Sequence, residues 1–148
     1  MTPPELQHRM TSRLAELATL AQAVSAWCAE VGLPEGEAAR LNLMVDELAT
    51  NTVLHGYAGH ADGWIELHLR REGDIVHLEL SDGAPHFDPT AHQAVPPAED
   101  LDALVKRRLG GLGVGLVRRL ALRWQHEALP QGNRLRIWRR VGAEPGVA

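Results

Sequence analysis

Between residues 56 and 65 the spacing of apolar side chains changes from three-and-four to two, and that change limits the chain to folds that set helices against a sheet. Before it, Leu14, Leu17, Ala21, Val24, Cys28 and Val31 form one helical stripe, ended near Gly32 and Pro34. A second helix starts after Pro34, with Glu35 and Glu37 in its first turn and Leu41, Met44, Val45 and Leu48 on its core face. It is expected to run to about His55 and stop at Gly56. After the change, Ile65, Leu67 and Leu69 alternate with Glu66, His68 and Arg70, and a second alternating run carries Val76, Leu78 and Leu80. The two runs read as a β-hairpin.

A proline-bearing loop then extends from Ser81 to about Asp100, and residues 101–109 are expected to hold a short helix. The run from Gly110 to Gly115 opens a further helix with Leu116, Val117 and Leu120 on its apolar side. Two strands, near 122–126 and 135–141, close the order, joined by a turn at Pro130-Gln131-Gly132-Asn133. The order α-α-β-β-loop-α-β-β predicts a two-layer α/β sandwich. Its sheet is mixed but mostly antiparallel, and helices cover one face.

A length of 148 residues suits one domain with one core. Proline, glycine and alanine at both ends lead us to expect frayed termini at residues 1–10 and 142–148. The formal charge of −4 argues against direct nucleic-acid binding, which needs a dense basic face. Arg134 to Arg140 alternates with apolar residues and reads as one solvated strand face. The single cysteine, Cys28, excludes an internal disulfide and reads as a packed thiol. The first ten residues lack a signal-peptide core and no apolar run is long enough to span a bilayer, so a cytoplasmic, membrane-free protein is expected.

Three stretches could carry chemistry. Glu47, Asn51 and His55 lie at i, i+4 and i+8 of the second helix, advancing about 40° per step, so a carboxylate, an amide and an imidazole line one edge beside the core stripe. A polar row of this kind can equally be a solvated margin. Asp82-Gly83 follows a buried strand: the carboxylate can accept from an exocyclic amine and the glycine lets a flat ligand approach, although Asp-Gly is also a common turn. Gly111-Leu112-Gly113-Val114-Gly115 runs into a helix, where backbone N–H groups and the positive end of the helix dipole suit phosphate oxygens. It is neither a dinucleotide fingerprint nor a P-loop.

In order and spacing these stretches resemble the GHKL ATPase superfamily, and within it the small bacterial anti-sigma factor serine-protein kinases. Residues 45–57 resemble its N box, Asp82-Gly83 through Phe87-Asp88-Pro89 its first glycine box, and residues 110–116 its second. Gly132-Asn133-Arg134-Leu135 also matches that branch. The resemblance implies a Bergerat-type ATP-binding fold with ATP and Mg²⁺ as cofactors. Asn51 would hold the metal, Glu47 would be the general base, Asp82 would bind the adenine amine with Gly83 beside the base, and Gly111, Gly113 and Gly115 would meet the phosphates. Leu112, Val114 and Phe87 belong to the same boxes, and Asn133 stands where many members carry a threonine near the nucleotide. His55 would lie near the nucleotide or the lid. Residues 90–109 would be that lid, with Lys106, Arg107 and Arg108 near the phosphates.

The implied function is phosphorylation of a serine on a STAS-type antagonist, together with sequestration of a sigma factor. A homodimer is left open, with the first helix, bearing Arg13, as a place for partner contacts. The alternative is a non-catalytic module in which nucleotide only shapes a partner surface.

Overall fold

The structure is a computed structural model that describes residues 2–88 and 113–143. Its elements run β1 (Leu6–Thr11), α1 (Leu17–Glu30), α2 (Glu35–Asn51), β2 (Trp64–Glu72), β3 (Ile75–Asp82), α3 (Gly113–Leu120), β4 (Arg123–Leu129) and β5 (Gly132–Arg140). A 3-10 turn at Leu14–Glu16 leads into α1, and a π-helical turn at Thr52–Gly56 continues α2. The five strands form one sheet in the order β1-β2-β3-β5-β4, and every neighbouring pair is antiparallel. The expected two-layer α/β sandwich is therefore what the chain builds, with an antiparallel rather than a mixed sheet.

Period-two alternation sends Ile65, Leu67 and Leu69 of β2, Val76, Leu78 and Leu80 of β3, and Leu135 and Ile137 of β5 into one core. Against them pack Leu20, Val24, Trp27 and Cys28 of α1, Leu41, Met44, Val45 and Leu48 of α2, and Val117 and Leu120 of α3. The other sheet face is polar. Arg134 pairs with Glu79 and Glu127, and Arg136 pairs with Glu79, so these arginines form the solvated strand face expected for them.

The structure departs from the sequence expectations along the chain as well. Residues 6–11, expected as part of a frayed end, form the edge strand β1, registered on β2 from Leu6↔Leu69 to Thr11↔Trp64. Its alternation is weak because an edge strand on this sheet buries little, and Met10 is its one core residue. The Trp27 indole N–H donates to the Pro4 carbonyl (2.9 Å) and ties α1 to the chain leading into β1. Leu14, expected to begin the helical stripe, is exposed, because the 3-10 turn at 14–16 shifts the phase; Leu20 and Trp27 take up the core positions. Asn133, expected in a turn, lies in β5 opposite Asp82 and Ala128. The turn comes earlier because Gly132, at φ +135°, can approach β3 closely enough to start the ladder there: a Cβ on it would lie 1.9 Å from the Asp82 carbonyl oxygen. Arg139, within the basic run, is buried rather than solvated.

Arg139 stands on the core face of β5 and forks onto Glu37 of α2, with Nε to Oε1 at 2.9 Å and Nη2 to Oε2 at 3.2 Å. The same guanidinium donates to the Leu120 and Ala143 carbonyls, and the Gly142 N–H donates to Glu37. Glu37 and Arg139 are 2% and 1% exposed, so the pair is viable only because both ends are hydrogen-bonded throughout. It fastens the start of α2, the end of α3 and the end of β5 to one another. Of the loop expected from Ser81 to about Asp100, residues 89–100 lie outside the described residues, as does the short helix expected at 101–109.

Candidate functional site

α2 is a polar-edged helix whose apolar stripe is pressed on the sheet, and that packing fixes where its polar row goes. Glu47 is 7% exposed, carried inward beside Leu48. Asn51, one turn later, is half-buried and lines a cavity of about 20 Å³ together with Leu48, Asp82, Phe87, His126 and Asn133. The α2 polar row and the Asp82 strand end thus meet across one small space, about the room one water needs.

His55 does not follow the row into that cavity. The helix widens at Thr52, whose hydroxyl donates to the Leu48 carbonyl (3.0 Å) while the Tyr57 N–H reaches back five residues to the Thr52 carbonyl (2.8 Å). The wider turn changes the angular step, and His55 ends exposed and apart from the described cavity lining.

What the widened turn does aim inward is Tyr57. Its hydroxyl donates to the Trp64 carbonyl (2.6 Å) and accepts from the Gly83 N–H (2.7 Å) and the Trp64 N–H (3.2 Å). One phenol therefore clasps the end of the α2 helical run to the first residue after β3. Gly83 is required by the fit against Trp64, since a Cβ there would lie 2.6 Å from the indole nitrogen.

Asp82 ends β3 at 6% exposure. Its Oδ1 accepts from the Ala84 N–H (3.0 Å) and from the Asn133 amide (2.9 Å). Burial pushes its carboxyl above the ordinary carboxylate range; the Asn133 amide, the Ala84 N–H and His126 offset part of that rise. Asn133 is the hub of the loop after β3. Its Nδ2 also donates to the Pro85 and Ala84 carbonyls, at 3.1 and 3.3 Å, and its Oδ1 accepts from the Phe87 N–H (2.9 Å) and faces His126 Nε2 (3.0 Å). Asn133 thus holds the Asp82–Phe87 loop against β5 and β4.

α3 begins at Gly113, runs through Val114 and Gly115, and packs on α2. Gly111 and Leu112 lie outside the described residues, as do the expected lid at 90–109 and its Lys106, Arg107 and Arg108. Among the described residues no three His, Cys, Asp or Glu side chains gather to hold a metal by themselves. No helix among them is long and apolar enough to cross a membrane. Sequence reasoning reached Asn51, Asp82, Phe87 and Asn133, which line the cavity, and Glu47, which is buried one turn before Asn51 on α2. It gave no role to Tyr57 or His126, whose partners are 26 and 7 residues away along the chain.

Comparison with known proteins bears on this arrangement. Residues 10–138 match the family described as Histidine kinase-like ATPase domain. Serine-protein kinase RsbW of Listeria innocua is 33% identical over 81 residues, covering 54% of this chain and 52% of the relative. The chain therefore spans about half the length of that relative. Serine/threonine-protein kinase BtrW of Bordetella bronchiseptica is 31% identical over 112 residues, covering 73% of this chain and 77% of the relative. The crystal structure of the RsbU and RsbW domains of a Mycobacterium tuberculosis protein superposes with a TM-score of 0.64 at 18% identity, over 93% of this chain and 32% of that one, a likeness of fold. The chain belongs to the histidine kinase-like ATPase family, in the branch of RsbW-type anti-sigma serine-protein kinases.

Proposed function

We propose that the chain binds Mg-ATP between α2 and the Asp82–Phe87 loop, transfers the γ-phosphoryl group to a serine of a STAS-type antagonist, and itself sequesters a sigma factor in the cytoplasm, which phosphorylation of the antagonist leaves it free to do. The observation that carries this reading is the convergence of Asn51, from α2, and Asp82, from β3, on one cavity, with Glu47 buried one turn before Asn51. Family membership supports ATP use, and the kinase names of the relatives support the transfer.

The residues fit the expected ligands. Asp82, in the cavity lining at the end of β3, is an acceptor suited to the adenine amine. One amide oxygen, from Asn51, is a modest protein donor set, and it suits Mg²⁺, which keeps waters and phosphate oxygens around it. The metal would neutralise phosphate charge. A cavity of about 20 Å³ is far smaller than a purine, so nucleotide entry displaces the Phe87 segment while Asn133 keeps its base in place. Glu47 takes the proton of the attacking serine hydroxyl as that oxygen bonds to phosphorus and the bond to the leaving diphosphate oxygen breaks. Phosphate contacts at the start of α3, a role for His55 and homodimerisation belong to the same reading.

Labelled-phosphate transfer from ATP to the antagonist tests it. Glu47→Gln should slow transfer by about 10²–10⁴-fold, the usual worth of a general base, with ATP affinity kept within a few-fold. Equal transfer rates in the variant and the parent would remove Glu47 from the mechanism. ATP-dependent partner binding that persists in Glu47→Ala, with no transfer even in the parent, would make the chain a nucleotide-gated binding module.

A further inference from the structure

The adenine-facing carboxylate is not held by its own strand alone, and the chain of contacts behind it ends on a residue that has no assigned role. Asn133 Nδ2 is surrounded by three acceptors, Asp82 Oδ1 at 2.9 Å, the Pro85 carbonyl at 3.1 Å and the Ala84 carbonyl at 3.3 Å. Its Oδ1 takes the Phe87 N–H at 2.9 Å. An amide has two N–H donors and one acceptor oxygen, so these partners permit one orientation only, with nitrogen toward Asp82. It follows that His126 Nε2, 3.0 Å from Oδ1, meets an acceptor and must carry a hydrogen. The other ring nitrogen, Nδ1, lies 3.8 Å from Asp88 Oδ1, and the His126 side chain is only 10% exposed. The imidazole stands in the cavity wall on the inner face of β4, opposite Leu135 in the register.

We infer that His126 is a positioning residue for base selection: its Nε2–H fixes the Asn133 amide, which in turn presents the Asp82 carboxylate to the amine of an adenine ring. This rests on the nucleotide-binding reading above and adds to it the residue through which the choice of base is set. A flipped Asn133 amide would put an oxygen against Asp82, an acceptor against an acceptor, and would turn the carboxylate away from its place. His126 makes the flip costlier by supplying a second donor to Oδ1, one that does not lie on the Phe87 segment displaced by nucleotide entry. The bonds from His126 through Asn133 to Asp82 include no residue of α3, where the phosphate contacts are proposed, so loss of His126 should change which base is preferred more than whether a triphosphate binds.

The experiment measures affinity for Mg-ATP and for Mg-inosine triphosphate, which carries an oxygen in place of the amine, by calorimetry on the full chain. His126→Phe keeps a ring of similar shape and removes the donor. It should weaken ATP by about tenfold, the scale of one hydrogen bond, and leave inosine triphosphate within about twofold, so that the preference shrinks. His126→Gln offers an amide N–H near the place of Nε2 and should restore the parental preference. Equal weakening of both nucleotides in His126→Phe, or an unchanged preference, would overturn the inference, as would failure of the glutamine to rescue. A separate measurement needs no nucleotide: ring-nitrogen NMR of the unliganded protein should find the hydrogen on Nε2 of His126, and a ring protonated on Nδ1 alone would overturn the assignment. If the parent protein binds neither nucleotide, the binding reading itself falls and the inference with it. If the parent binds ATP in an Asp82-dependent way but ignores His126, only the inference falls.

Discussion

Two buried carboxylates respond to acid in opposite directions. Glu37 is desolvated, which alone would raise its pKa, but the Arg139 fork, the Gly142 N–H and the charges of Arg139 and Arg40 outweigh burial and hold it below the ordinary 4.5. A carboxylate whose folded pKa is depressed adds stability above its unfolded value and loses it as the pH falls through the folded one. Asp82 lies above its ordinary 3.8, with burial as the main cause, so its ionised form costs stability at neutral pH, and that cost is relieved as the pH falls through the raised value. Urea denaturation should therefore find Glu37→Gln less stable by about 3–5 kcal/mol at pH 7, because it leaves the Arg139 charge buried without its partner. The difference between variant and parent should narrow below about pH 4.5, where the parent loses the same pair. A constant difference from pH 7 down through that window would deny the pair its electrostatic role. Glu37 shows how far single residues were legible. Its place in the first turn of α2 matched a helix-dipole role, yet its main partner lies 102 residues away, and nothing local in the sequence announces it.

At the scale of elements, helix and strand identity followed from the spacing of apolar residues, because burial on one side of each element imposes that spacing. The π-helical turn at Thr52–Gly56 was not legible: an i, i+4, i+8 row presumes a uniform helix, and the extra width displaced His55 and brought Tyr57 to Gly83. β1 was hidden for the complementary reason, since a half-covered edge strand with one core residue leaves almost no pattern. The β4–β5 connection carries its own prediction. Gly132 brings β5 against the Asp82 carbonyl, and Asn133 follows it directly to hold the loop. Gly132→Ala forces the two backbones apart and places a side chain at φ +135°, a region that disfavours any Cβ. We expect a loss of about 1–3 kcal/mol in thermal unfolding, together with weaker ATP binding. A variant as stable as the parent would mean the strand start can shift without consequence.

For the whole molecule, the sheet serves as a rigid back wall. The Glu37–Arg139 pair locks α2, α3 and β5 together at one place, while Tyr57 and Asn133 fasten the Asp82 loop at another. Between these fastenings the polar edge of α2 faces the end of β3, which is how a fold shared with the histidine kinase-like ATPases comes to have an acceptor and an amide on opposite sides of one cavity. The order of the three boxes made that arrangement readable before any coordinates, and the loop after β3 needed the structure, because its hub is reached through sheet register. The central claim is that this cavity takes the base of an adenine nucleotide through Asp82. Titration calorimetry of the parent and of Asp82→Asn with ATP in the presence of Mg²⁺ tests it most directly. Loss of a charge-assisted bond of about 1.5–3 kcal/mol predicts saturable binding by the parent and affinity weaker by roughly 10- to 100-fold in the variant. An absence of heat in the parent, or equal affinities for the two proteins, would contradict the account.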